Sequence, residues 1–80
     1  MNLSKKEEEF IKNLGKHIVV LRKEKKLKQI DLATKINIED SALRRIESGR
    51  TNPTIKTLLR IAQGVEVEFT ELFNFPTNNG

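Results

Sequence analysis

Eighty residues, 36 % of them hydrophobic, with 15 Lys or Arg against 11 Asp or Glu, describe one small basic domain; folding would bury only about 60 to 65 % of the chain's surface, so its core is thin. The absence of cysteine excludes disulfides, thiolate metal sites and a thiol nucleophile, and fits the reducing cytoplasm. The longest apolar run, Ile18-Val19-Val20-Leu21, is far too short for a membrane span, and Glu7-Glu8-Glu9 stands where a signal peptide would need its apolar region.

Ser4 and Glu7 have capping-box spacing, and Phe10, Ile11, Leu14, Ile18 and Leu21 recur at steps of three and four. This predicts an amphipathic helix from about 4 to 25. Leu32, Ala33 and Ile36 mark a short second helix that stops at Asn37, a residue that tolerates the left-handed conformation. A third helix, about 40 to 48, carries Ala42, Leu43 and Ile46 inward and ends at Gly49. Thr51-Asn52-Pro53-Thr54 reads as a turn and N-cap, and Ile55, Leu58, Leu59 and Ala62 give a fourth helix closed by Gly64. Residues 68–73 form a last short helix; the alternation of 65–69 also permits a strand, but five residues without a partner do not sustain one. The reading is therefore a single all-α domain of five helices spanning 1–80, with its core at about 4–75 and a frayed tail at 76–80.

The charge is unevenly placed. Residues 12–60 hold thirteen Lys or Arg against five acids, whereas residues 61–80 carry only Glu66, Glu68 and Glu71. A basic middle and an acidic end suit a polyanionic partner, although lysine-rich helices are also ordinary solvated faces.

From Gln29 to Ile46 the residues fit the steric template of two helices crossing steeply through a short turn. Ala33 is small where they touch, Leu32, Ile36, Ile38, Leu43 and Ile46 wedge them together, and Asn37 reverses the chain. With Leu43 and Ile46 inward, Ser41, Arg44, Arg45 and Ser48 fall on the opposite face of the third helix. The two guanidinium groups there offer paired donors that match guanine O6 and N7, or a phosphate.

These residues resemble a known family. Gln29-x-x-Leu32-Ala33, Ile36-x-Ile38, Leu43-x-x-Ile46-Glu47-x-Gly49-x-x-x-Pro53-x-x-x-x-Leu58 and Leu72-Phe73 look like the Cro and lambda-repressor-like helix-turn-helix family, also called XRE, over about residues 12–73. The resemblance implies a five-helix domain whose third helix lies in the DNA major groove, and a homodimer on a near-palindromic operator. By position it would put Asp40, Ser41, Arg44 and Arg45 at base edges, and Lys28, Gln29, Ser48, Arg50, Thr51 and Asn52 at phosphates. Glu47 would pair with Arg22. Asp40 departs from an easy fit, since a carboxylate facing DNA is repelled unless it accepts from cytosine N4; it is equally a favourable charge at a helix N-terminus.

Phe69, Phe73 and Phe75, with Val65 and Val67, are more apolar side chains than so small a core covers easily, and they are expected at a dimer interface. His17 has no second histidine with which to share a metal, and no nucleophile with its base, paired acids or phosphate loop is present, so neither cofactor nor enzymatic activity is expected. The resulting expectation is a DNA-binding transcriptional regulator, a repressor or controller protein. The alternative is an antitoxin of the same fold, whose acidic, aromatic C-terminal part would hold a toxin protein.

Overall fold

Ser4 starts the chain's first helix by a reciprocal cap. Its Oγ accepts from the Glu7 amide at 3.2 Å while its own amide donates to Glu7 Oε1 at 2.9 Å. In the computed structural model, which describes residues 4–76, helix α1 runs Lys5–Glu24, α2 Gln29–Lys35, α3 Asp40–Glu47 and α4 Ile55–Gly64, followed by a 3-10 helix Phe69–Phe73. The all-α expectation with five helical elements is met. The described residues contain no strand: 65–68 are a turn and an irregular link after α4, and the last short helix, expected over 68–73, begins at Phe69. The tail expected at 76–80 lies, beyond Pro76, outside the described residues.

Asn37 and Gly49 both adopt positive φ, 59° and 75°, and so turn the chain out of α2 and α3 where their conformational tolerance predicts. Gly64 behaves differently. It is the last residue of α4, and the left-handed turn falls on Glu66 instead (φ 62°). What Gly64 supplies is room, because a Cβ there would stand 2.6 Å from Ile36 Cγ2 and Leu32 Cδ1. Thr54 caps α4 as expected, its Oγ1 accepting from the Thr57 amide at 3.1 Å.

One core joins the elements: Leu14, Ile18 and Leu21 from α1, Leu32 and Ala33 from α2, Leu43 and Ile46 from α3, Leu58, Ile61 and Ala62 from α4, then Val65 and Leu72. The 3-10 helix packs between α1 and α4. His17 is half-buried at that seam. A carbonyl can only accept, so its Nε2 carries the proton donated to Glu71 O at 2.9 Å. At the other end, Lys35 Nζ donates to the Gly64 carbonyl at 2.8 Å and also lies 3.4 Å from Glu66, which Lys25 approaches to 3.7 Å. No described helix is long and apolar enough to cross a membrane.

Candidate nucleic-acid interface

The third helix is held from its buried side. Arg22 Nε and Nη2 donate to Glu47 Oε2 and Oε1 at 2.8 and 3.0 Å, and Arg22 Nη1 donates to the Leu27 carbonyl at 2.9 Å. Both residues are only 8 % exposed. Burial of two charges is tolerable only when each is paired and hydrogen-bonded, and among the described residues no buried side-chain polar atom is left without a partner. The link joins the end of α1 to the last residue of α3.

Gln29, expected at phosphate, is half-buried, and its Nε2 donates to Glu47 Oε1 at 2.8 Å. Sequence reasoning missed this engagement, which ties the first residue of α2 to the last of α3. One amide hydrogen and Gln29 Oε1 remain for any outward contact. Glu47 therefore accepts from two helices at once.

A close backbone approach, also missed, completes the support. Gly15 on α1 meets the carbonyl end of α3 so tightly that a Cβ would stand 2.5 Å from Ile46 O and 2.6 Å from Glu47 O. No cue local to Gly15 announces this.

With Leu43 and Ile46 buried, the opposite face of α3 is open. Arg44, Arg45 and Ser48 are exposed, and Asp40 and Ser41 are half-exposed. Asp40 lies at the helix N-terminus with its Oδ1 3.7 Å from Arg44 Nη2, one turn along. Among described residues Arg45 has no carboxylate at ion-pair distance. In the loop after α3, Arg50 Nε donates to Ser48 Oγ at 2.9 Å, and Ser48 Oγ donates to the Arg45 carbonyl at 3.1 Å. Asn52 beside them is exposed and Thr51 half-buried. Lys28 stands exposed before α2, its backbone amide bound to Asp31 Oδ2 at 2.9 Å. Asp40, Ser41, Arg44 and Arg45 thus share one helix, with Ser48, Arg50, Thr51 and Asn52 continuous with its end.

Of the residues expected at a dimer interface, one needs correction. Val65 is fully buried in the core and cannot face a partner. Val67, Phe69, Phe73 and Phe75 are partly buried against the same core. Phe73 stacks on Phe10 with ring centroids 6.3 Å apart, and Phe75 lies 5.3 Å from Phe10 and 5.7 Å from His17. Phe10 at the start of α1, itself 41 % exposed, thus covers part of Phe73 and Phe75. The large apolar side chains left open on α4 are Ile55, 62 % exposed, and Leu59, 48 % exposed.

The helix-turn-helix family model HTH_3 matches residues 20–72. The immunity repressor protein of Bacillus phage phi105 is 37 % identical over 59 residues, which are 74 % of this chain and 41 % of that protein. The chain spans about two fifths of the length of the first curated relatives it matches. Among solved structures, the restriction-modification controller protein C.AhdI from Aeromonas hydrophila superposes with a TM-score of 0.77 at 28 % identity, covering 79 % of this chain and 96 % of that one. The controller protein C.Esp1396I, solved as a tetramer with its natural 35 base-pair operator, gives 0.73 at 34 % identity, covering 80 % and 84 %.

Proposed function

The chain belongs to the HTH_3 helix-turn-helix family, and on that premise we propose that it is a sequence-specific double-stranded DNA-binding regulator of transcription, working in the cytoplasm as a small repressor or controller protein. The observation that carries this reading is the exposed face of α3, with Arg44 and Arg45 beside Arg50 and Asn52, on a helix whose inner face is pinned by Glu47. A recognition helix must hold its side chains in fixed register against base edges, and the Arg22, Gln29 and Gly15 contacts provide that rigidity.

In this reading α3 enters the major groove. Arg45 and Ser41 face base edges, Arg44 contacts a base or phosphate, and Asp40 either accepts from a cytosine amino group or restrains Arg44. Lys28, Ser48, Arg50, Thr51, Asn52 and the remaining Gln29 N–H lie at phosphates, where contacts set orientation without reading sequence. A second copy supplies the other half of a twofold reader. The similarity to an immunity repressor and to controller proteins supports the regulator reading. The aromatic C-terminal part, which would have to hold a toxin in the antitoxin alternative, packs instead on the chain's own Phe10 and His17.

Selection of bound sequences from random duplex DNA tests the proposal. Enrichment of a near-palindrome with half-sites about 34 Å apart is the expected result. No retained duplex at low micromolar protein and low salt would overturn it.

A further inference from the structure

Helix α1 begins fifteen residues before the segment matched by the family model, and Lys12 lies in that earlier part. Its stem crosses Gly49, so closely that a Cβ on Gly49 would stand 2.7 Å from Lys12 Cγ and 2.8 Å from Lys12 Cα. Gly49 directly follows Ser48 and precedes Arg50. One turn along the same helix, Gly15 is equally tight against the carbonyls of Ile46 and Glu47. Two close backbone approaches therefore fix this side of α1 along the end of α3, and the exposed Lys12 emerges at the loop that carries Arg50, Thr51 and Asn52.

We propose that Lys12 is a further phosphate-contacting residue, brought by α1 to the rim of the DNA interface; the inference rests on the DNA-binding reading above. Residues 48–65 contain no acid, and no described carboxylate lies at ion-pair distance from Lys12. Glu8 and Glu9 stand one turn before Lys12 on α1 but not at ion-pair distance from it, so Lys12 and Arg50 put two cations, neither with an ion-pair partner among the described residues, beside one glycine, and a duplex backbone is an anion of matching extent. The competing role is a charge complement to the negative end of α3. That role concerns folding alone and leaves no trace in the salt dependence of binding.

The experiment compares wild type, Lys12→Gln, Lys12→Arg and Lys25→Gln on the selected operator and on a random duplex, across about 50 to 200 mM salt. Lys25, 3.7 Å from Glu66, removes the same formal charge elsewhere. Expected for Lys12→Gln is a plot of log affinity against log salt less steep by about 0.9 per protomer, with both duplexes weakened by the same factor and the melting temperature unchanged. Lys12→Arg should restore the slope, and Lys25→Gln should keep it. A wild-type slope in Lys12→Gln, with or without a lower melting temperature, overturns the assignment while the DNA-binding reading stands. Equal losses in Lys12→Gln and Lys25→Gln overturn it too. Failure of the wild type to bind any duplex overturns both.

Discussion

Arg22 and Glu47 meet through two parallel hydrogen bonds, of 2.8 and 3.0 Å, in a site where their side chains are 10 % and 4 % exposed. Removing one partner would leave the other as an uncompensated buried charge, a change that costs about 3 to 5 kcal/mol in fully buried pairs. Glu47→Ala also strands the Gln29 amide. At about 4 to 8 °C per kcal/mol for a domain of this size, its melting temperature should fall by more than about 10 °C. Glu66→Ala removes only a side chain that is 63 % exposed, with contacts of 3.4 and 3.7 Å, and should shift it little. Thermal melts of the two variants decide the matter, and equal small shifts would dispose of the pair's structural role.

Gly15→Ala offers a contrast between local preference and packing. Alanine favours a helix interior over glycine by about 1 kcal/mol, so helix propensity alone predicts stabilisation. At Gly15 the added methyl would meet two backbone carbonyls, which cannot swing aside as a side chain can. A net loss of about 1 to 3 kcal/mol is expected in denaturant unfolding. Gly64→Ala meets only the ends of Leu32 and Ile36 and should lose less. A stabilised Gly15→Ala variant would show that α1 and α3 can separate without cost.

These cases mark what is legible in a single sequence. The span of α1, the turns at Asn37 and Gly49 and the Thr54 cap depend on residues within a few positions of one another, so periodicity and capping chemistry reveal them. Arg22 and Glu47 are 25 positions apart, and in the sequence only the family resemblance pairs them. The Gly15 approach, the Gln29 amide on Glu47 and the Phe10 ring over Phe73 and Phe75 each depend on two distant segments, with no local cue at either. For the same reason the C-terminal phenylalanines read as an unfilled surface, although the chain's own first helix covers part of Phe73 and Phe75.

Arg45 and Arg50 should fail in different ways. A guanidinium bidentate to one guanine contributes about 1 to 3 kcal/mol of discrimination, while a phosphate contact supports every sequence alike. Arg45→Ala should lose its preference at one position of each half-site, measured on a panel of operator variants. Arg50→Ala should weaken all of them by a common factor. If Arg45→Ala keeps the wild-type ranking, Arg45 contacts phosphate and specificity passes to Ser41, Arg44 or DNA shape.

The thirteen cations of residues 12–60 imply binding dominated by counterion release. A dimer touching about 6 to 10 phosphates should lose about 10³ to 10⁵ in affinity between 50 and 200 mM salt. Titrations across that range would reject the electrostatic reading if the affinity stayed flat.

Self-association is expected to use α4. Ile55 and Leu59 are one helical turn apart, hence on one face, and both stand open to solvent while Val65 is buried and the C-terminal rings lie on α1. A twofold pairing through this face gives two recognition helices related by a dyad, as reading half-sites about 34 Å apart requires. Leu59→Asp places a charge at the centre of such a contact and leaves the core residues Leu58 and Ile61 in place, so it should yield a folded monomer with weak operator binding. Phe75→Ala should instead lower the melting temperature by exposing Phe10 and His17, and leave the dimer intact. Sedimentation equilibrium of both variants separates the two surfaces. A Leu59→Asp protein that remains dimeric, or a Phe75→Ala protein that dissociates while keeping its wild-type melting temperature, would move the interface from α4 to the C-terminal aromatic face.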